Sequence, residues 1–418
     1  MTGLLIIGDE ILNGNVQDTN SSFAARLLFG NNIPVSTIHT VGDTEQAIKD
    51  GIANMFEKVD LLISTGGLGP TKDDITKTAI ASYYNTALER NEEVLADLTA
   101  RYAKRGLSLN ELNQGQAMVP AIAEVIHNPV GTAPVFWIEQ KGKTLITLPG
   151  VPGEMRYLLE NVLLPRLREK FVTTAIVQKT INVIGIPESE LAILLKNVDE
   201  EIEQAHTPTE HYKLAYLPNL NCIRLQITGS GGDKNQLEQK TAYFQKAIEN
   251  AAGRFIFGYG DDSIASHIGK LLREGGATLS TAESCTGGYL AHLITAIAGS
   301  SDYYWGSIIS YHNLVKEHEL EVKPETLEKY GAVSEETCQE MLAGCLKKFG
   351  TTYALATTGI AGPGGETPGK PVGTVWIGVA DKERSVTKSY FFNRSRADNI
   401  HLFAISALDM LRKFIKED

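Results

Sequence analysis

Two regions of this chain gather side chains that could act on a small anionic molecule. The first is Thr281-Ala282-Glu283-Ser284-Cys285-Thr286-Gly287-Gly288, where an apolar run gives way to small residues ahead of a helix pattern. Glycines there allow a ligand close to the backbone. The first N–H groups of a helix lack internal partners and carry partial positive charge, so they suit an anion. Ser284 and Thr286 add hydroxyls. Cys285 is a candidate nucleophile, because a helix N-terminus lowers a thiol pKa; the other reading is a small buried side chain in a tight turn. Downstream stand Ser300, Ser301, Tyr311, His312, Asn313 and Lys316. A serine nucleophile needs a base. No His/Asp pair has obvious triad spacing, but a lysine serves when burial or a second cation lowers its pKa. On its own, Lys316 reads equally as a solvated surface residue. A third loop, Thr357 to Gly365, could wrap a ribose or phosphate. It lacks the Gly-Lys-Ser/Thr ending of a Walker loop, and no Rossmann fingerprint occurs, so nucleotide-dependent hydride transfer is not expected.

The second region lies near the N-terminus. Thr65-Gly66-Gly67-Leu68-Gly69 offers backbone N–H groups to phosphates. Asp9, Glu10, Asp73 and Asp74 offer hard oxygen ligands to a metal that would neutralise a pyrophosphate. Asp73 and Asp74 also stand just before a helix pattern, where capping is the plainer role.

Elements that alternate must hold these residues. Leu4–Ile7, Val35–Val41 and Asp60–Ser64 read as strands, with helices over Asn20–Phe29 and Thr44–Phe56. This order predicts a parallel sheet covered by helices, with ligand loops at the carboxyl ends of strands. Asn128–Thr132, Phe136–Ile138 and Thr144–Leu148 read as further β material. Pro149–Glu154 starts a helix running to about Lys170. Residues 173–258 read β-α-β-β-α-β, the order of a small split-βαβ domain. Gly229-Ser230-Gly231-Gly232 within it has the form of an RNA-clamping GxxG, but it follows a strand and reads as a turn. From residue 261 the α/β alternation resumes: helix Ile264–Glu274, strand Thr278–Ala282, helix Tyr289–Ala298, strands Ser307–Tyr311, Tyr353–Thr358, Gly373–Ala380 and Ser385–Phe392, and helix Ala397–Phe414. His292 falls off the apolar stripe of its helix and reads as a surface residue.

The chain has 418 residues, 43% of them apolar, enough for two or more packed domains. Its formal charge is −11. Residues 1–258 hold 23 basic and 30 acidic groups, and residues 259–418 hold 16 and 20. Neither part has the basic excess that phosphate-backbone binding requires. No apolar run reaches transmembrane length and Met1–Glu10 lacks signal-peptide character, so a cytoplasmic protein is expected. Four dispersed cysteines without a CxxC fit a reducing compartment and no zinc site.

Thr281–Gly288, Ala298–Ser301, Tyr311–Lys316, Gly331–Ser334, Thr358–Gly365 and Lys370–Gly373 together resemble the nicotinamide mononucleotide deamidase domain of the CinA family, over nearly all of residues 261–418. Gly8–Gly14, Gln17–Asn20, Thr65–Asp74, Asn128–Pro134 and Leu148–Met155 resemble that family's other half, which is similar to molybdopterin-binding domains. The resemblance implies three α/β parts: a molybdopterin-binding-like three-layer domain over 1–170, a small α+β (split βαβ, KH-like) domain over 171–258, and a three-layer α/β deamidase domain over 261–418. It implies hydrolysis of nicotinamide mononucleotide to the acid and ammonia, without a metal. It also implies cleavage of ADP-ribose to AMP and ribose phosphate by the N-terminal part, assisted by a divalent cation. Carried over by position, the nucleophile falls on Ser301, its activating lysine on Lys316 and an assisting tyrosine on Tyr311. The substrate contacts fall on Ser284, Cys285, Thr286, Gly287, Gly288, Asn313, Thr358, Gly359, Ala361, Gly362 and Arg396. In the N-terminal part the nucleotide contacts fall on Gly8, Glu10, Asn20, Thr65, Gly66, Gly67, Gly69, Asp73, Asn128, Gly131, Pro149 and Gly150, with Asp74 and Asp9 on the metal. Where the family often has Gly-Asp-Arg before its last helix, this chain has Asn393-Arg394-Ser395-Arg396, and His401 stands in place of a later basic residue. The expected partners are small nucleotides and a second copy of the chain. The alternatives are a nucleotide- or pterin-binding protein without catalysis, and an accessory role in competence or DNA recombination.

Overall fold

The computed structural model describes residues 1–171, 174–220 and 222–416. They divide into two compact units, Met1–Ile176 and Val177–Asp418.

In the first unit the strands are β1 (Thr2–Ile7), β2 (Val35–Val41), β3 (Leu61–Thr65), β4 (Leu88–Arg90), β5 (Met118–Pro120), β6 (Glu124–Ile126), β7 (Val135–Gln140) and β8 (Lys143–Leu148). Six of them form one sheet in the order β2-β1-β3-β8-β7-β6, and β4 pairs with β5. β1 runs parallel to β2 and β3, and β3 parallel to β8; β7 and β6 are antiparallel. The alternating geometry of a strand explains the continuous apolar run of β1. Leu4 and Ile6 pack on one face with Ala24, Leu28, Met155 and Leu158. Leu5 and Ile7 pack on the other with Ile48, Ile52, Ala79 and Ile80. Three layers result. The register Ile6↔Thr65 and Thr65↔Leu148 brings the loops after β1, β3 and β8 to one edge. One expected strand does not form: Asn128–Thr132 is a loop. The buried Asn128 side chain holds it, accepting the N–H groups of Val130 and Gly131 through Oδ1 and donating to Ala133 O. An Asx turn of this kind competes with a ladder.

The second unit contains two sheets. β9 (Ile176–Ile184), β10 (Glu210–Asn219), β11 (Cys222–Gly231) and β12 (Ile256–Tyr259) pair in the order β10-β11-β9-β12, with helices Glu188–Gln204 and Lys234–Ala252. Gly229, Ser230 and Gly231 pair within β11 against Tyr212, His211 and Glu210, so the GxxG-like run is a strand end. β13 (Leu279–Glu283), β14 (Tyr304–Ile309), β15 (Tyr353–Gly359), β16 (Thr374–Ala380) and β17 (Ser385–Phe391) form the other sheet, in the order β14-β13-β15-β16-β17. Here β14, β13 and β15 are parallel, and β16 and β17 antiparallel. Helices Ile264–Glu274 and Arg396–Lys416 cover one face, and Glu335–Phe349 the other. The sequence pattern set β14 at Ser307–Tyr311. It lies earlier, because its partner β13 ends at Glu283, opposite Ile309. Ser310 and Tyr311 are thereby released beyond the sheet.

The long helix Arg396–Lys416 carries a buried ion pair. Arg412 Nε donates to Asp409 Oδ1 at 2.9 Å, and Arg412 Nη1 reaches the carbonyl of Arg254 at 3.3 Å. This contact ties the end of the four-stranded sheet to the helix. Removing one member leaves an uncompensated buried charge. Asp409→Ala is therefore expected to lower unfolding free energy by about 3–5 kcal/mol, read by urea titration.

Candidate functional site

The carboxyl ends of β13 and β15 open onto a cavity of about 280 Å³. Ser284 follows β13 directly, anchored by its N–H to Thr357 O at 2.9 Å. The helix Asn313–Leu320 crosses behind it and presents Lys316, which is 1% exposed. Lys316 Nζ donates to Ser310 O at 2.7 Å and to Ser284 Oγ at 3.1 Å. Burial pushes this amine down from its ordinary 10.5 to about 8. A buried amine poised near neutrality and bonded to a hydroxyl is a base–nucleophile pair.

The position that the resemblance assigned to the nucleophile is elsewhere. Ser301 is exposed in a short turn, Ser300–Asp302, that precedes β14. β14 is six residues long and parallel to β13, which sets Ser301 roughly 20 Å from the cavity end of the sheet at about 3.3 Å per residue. Ser301 is not among the cavity's lining residues, and Ser284 holds the place beside the lysine.

The other expected residues divide in two. Cys285, Tyr311, Asn313, Thr358, Gly359, Ala361, Gly362 and Arg396 line the cavity with Ser284 and Lys316. Arg396 Nη2 donates to Tyr311 Oη at 3.0 Å, and its Nη1 donates to Gly362 O. Thr286, Gly287 and Gly288 do not line the cavity. The reason is Glu283. Its fully buried carboxylate accepts N–H groups from Gly288 at 2.9 Å, Leu290 at 3.1 Å and Ala291 at 2.8 Å, and the Thr286 hydroxyl at 2.7 Å. The start of helix Tyr289–Thr295 is thus already occupied by an internal anion, and the expected anion site there does not exist. Gly287 and Gly288, at φ +58° and +97°, make the turn that wraps the carboxylate. Cys285 is buried, and its thiol is pushed up to about 12, mainly by burial. His292 is exposed, and His401 binds the Tyr289 hydroxyl through Nδ1 at 3.0 Å, outside this cavity.

In the first unit, the loops after β1, β3 and β8 enclose a cavity of about 530 Å³. Gly8, Glu10, Asn20, Thr65, Gly66, Gly67, Gly69, Asp73, Asp74, Pro149 and Gly150 line it. Gly66 is at φ +119°, and a Cβ there would stand 2.0 Å from Ile7 O, so the loop requires glycine. Asp74 Oδ2 accepts the Thr71 N–H at 2.9 Å. Asp9, Asn128 and Gly131 do not line the cavity. Asp9 is engaged with Asp43 through reciprocal backbone contacts of 2.8 and 3.2 Å. Asn128 and Gly131 brace the neighbouring loop, where Asn128 Nδ2 also reaches Glu154 Oε2 at 2.9 Å. Asp43, unassigned in the sequence, faces the cavity; desolvation raises its carboxyl pKa, and the charges of Asp9, Glu10 and Asp74 add to this. Glu10, Asp18, Asp43, Asp73, Asp74 and Glu154 are the charged lining, with no lysine or arginine among the described lining residues. Among the described residues, no three His, Cys, Asp or Glu side chains converge to hold a metal ion.

Three family models match the chain. "Probable molybdopterin binding domain" matches residues 3–169, "Damage-inducible protein CinA KH domain" residues 178–258, and "CinA C-terminal domain" residues 261–415. A CinA-like protein of Cytophaga hutchinsonii is 40% identical over 99% of this chain and 98% of its own length. The chain belongs to the CinA family. A CinA-like protein of Flavobacterium psychrophilum is 39% identical over the same shares. The crystal structure of competence/damage inducible protein CihA from Agrobacterium tumefaciens is 36% identical, covering 36% of this chain and 92% of that chain, with a TM-score of 0.35. The CinA protein described here therefore has a molybdopterin-binding-like N-terminal domain, a KH-like middle domain and a CinA C-terminal domain. No helix among its described residues is long and apolar enough to cross a membrane.

Sequence reading of this CinA protein missed Glu283 and the Ser284–Lys316 pairing. A buried-acid signal was present, since Glu283 ends an otherwise apolar and hydroxylated strand. Two outcomes follow from the burial. Iodoacetamide at pH 8 leaves Cys285 unmodified in the folded chain and labels it in urea, as peptide mass spectrometry would read. Lys316→Met stabilises the protein at pH 7: the folded pKa of about 8 lies below the unfolded value, so a protonated Lys316 costs about 3 kcal/mol below pH 8. That cost fades as pH rises from about 8 to about 10.5, so the stability gap between the two proteins should close over the same window in urea titrations.

Proposed function

We propose that the C-terminal cavity is an amidohydrolase site acting on the carboxamide of nicotinamide mononucleotide. The observation that carries this is the 3.1 Å contact between a buried, pKa-lowered Lys316 and Ser284 Oγ. Neutral Lys316 takes the Ser284 proton as Oγ attacks the carboxamide carbon. Backbone N–H groups of the turn after Ser284 are the donors assigned to the developing oxyanion. The C–N bond then breaks, and the lysine ammonium returns its proton to the departing nitrogen, which leaves as ammonia. Water, deprotonated by the same amine, attacks the acyl-serine and releases the acid. Arg396, braced against Tyr311, is the cation available to the substrate phosphate. No part of this scheme calls on a metal.

The N-terminal cavity supports a second reading, cleavage of ADP-ribose to AMP and ribose phosphate. Its size and the glycine loop Thr65–Gly69 suit a nucleotide. Its charged side chains are all carboxylates, the donor class of a hard divalent cation, but among the described residues no three of them converge on one ion. The acidic balance of both parts speaks against direct DNA contact.

The test is ammonia release from nicotinamide mononucleotide by purified protein. Ser284→Ala and Lys316→Ala should each lose at least ~10³-fold in kcat/KM, while Ser301→Ala and Cys285→Ala stay near wild type. Because the base must be unprotonated, activity should climb tenfold per pH unit up to about 8 and level off above it. An active Ser284→Ala beside an inactive Ser301→Ala would sink the dyad. A folded chain that releases no ammonia would sink the deamidase.

A further inference from the structure

Two carboxamides in the wall of the N-terminal cavity are incompletely bonded. Asn20 is 8% exposed and Gln116 is 3% exposed, and both line the cavity. Asn20 Nδ2 donates to Gly150 O at 2.8 Å and to Thr65 Oγ1 at 3.3 Å. The carbonyl of Gly150 can only accept, which fixes the amide orientation and leaves Oδ1 as an acceptor. Gln116 Nε2 donates to Thr132 Oγ1 at 3.3 Å. Neither Asn20 Oδ1 nor Gln116 Oε1 has a hydrogen-bond partner among the described residues. More than nine in ten buried polar groups are satisfied in native proteins, and an orphaned acceptor destabilises the state that contains it. Two such oxygens on residues that line one cavity are acceptors that the donors of a ligand would complete.

The surrounding chemistry says what kind of group completes them. The cavity's charged lining is wholly acidic, so nothing on its side-chain wall favours a bare phosphate. Phosphate oxygens are acceptors and would repel both carboxamide oxygens. Hydroxyl and N–H groups are donors and would pair with them. We propose that Asn20 Oδ1 and Gln116 Oε1 form a donor-reading subsite that takes the sugar hydroxyls or base N–H groups of a bound nucleotide, leaving its phosphates to the Thr65–Gly69 backbone. Both oxygens are buried, so a local shift of the wall accompanies binding. This rests on the reading of the cavity as a nucleotide site, but not on cleavage there.

The experiment uses the full chain and Gln116→Met, which keeps the volume and removes the acceptor; Gln116→Leu replaces it should the first fail to fold. Calorimetry with a divalent cation present measures binding of ADP-ribose, ribose 5-phosphate and inorganic pyrophosphate, and thermal melts are recorded without ligand. The substitution is expected to weaken ADP-ribose at least tenfold, leave pyrophosphate unchanged, and leave the melting temperature equal or higher. A parallel loss for ribose 5-phosphate assigns the donors to the sugar; a loss confined to ADP-ribose assigns them to the adenosine end. Equal ADP-ribose affinity in variant and wild type overturns the proposal, as does a lowered melting temperature with unchanged affinity, or a wild type that binds pyrophosphate alone. ADP-ribose that binds in this Gln116-dependent way without being cleaved defeats the pyrophosphatase reading and leaves the subsite standing.

Discussion

A lysine buried without a carboxylate partner is the constraint around which the C-terminal domain is arranged. An ammonium in that position is unfavourable, and among the described residues only a carbonyl and a hydroxyl are supplied to it, Ser310 O and Ser284 Oγ. The absence of an anion beside Nζ keeps the amine near its neutral form, and the neutral form is the base. An acid placed there would make a more stable ion pair and remove the chemistry. The two acceptors come from the ends of β13 and β14, so their spacing is inherited from the parallel register of those strands.

The same domain shows how an anion can be used internally. Glu283 sits one residue before Ser284 and absorbs the N–H groups of the following helix. A strand residue caps the helix that its own chain enters six residues later, and the intervening loop is pinned at both ends. Ser284 and Cys285 line the cavity, while Thr286 and Gly288 are committed to the carboxylate. The cation of this cavity is Arg396, which leans on Tyr311. The family match covers both domains, and the three-layer sheets place both cavities at the carboxyl ends of parallel strands.

The N-terminal cavity follows the opposite electrostatic logic. It gathers carboxylates and carboxamide oxygens, and its donors are those of the backbone loop after β3. Burial and, after it, the neighbouring acids Asp9, Glu10 and Asp74 raise the Asp43 carboxyl.

The order of elements was legible from residue patterns. Val35–Val41, Asn20–Phe29 and Ile264–Glu274 were bounded correctly because apolar periodicity and caps are local properties. The glycine loops after β1, β3, β13 and β15 were equally visible, since only glycine tolerates the backbone they need. Local pattern failed at Asn128–Thr132, where one side chain's hydrogen bonds outweighed strand propensity. The resemblance, which put the nucleophile on Ser301, also missed the cavity, because a position carried over along the sequence does not say which end of a strand it occupies. Composition and spacing by themselves determined the α/β class, the three-part order and the residues able to do chemistry. Only the tertiary structure decided that Lys316 is buried, that Ser284 and not Ser301 touches it, and that Glu283 fills the helix start, because those pairings join residues from separate elements whose meeting depends on sheet register and burial.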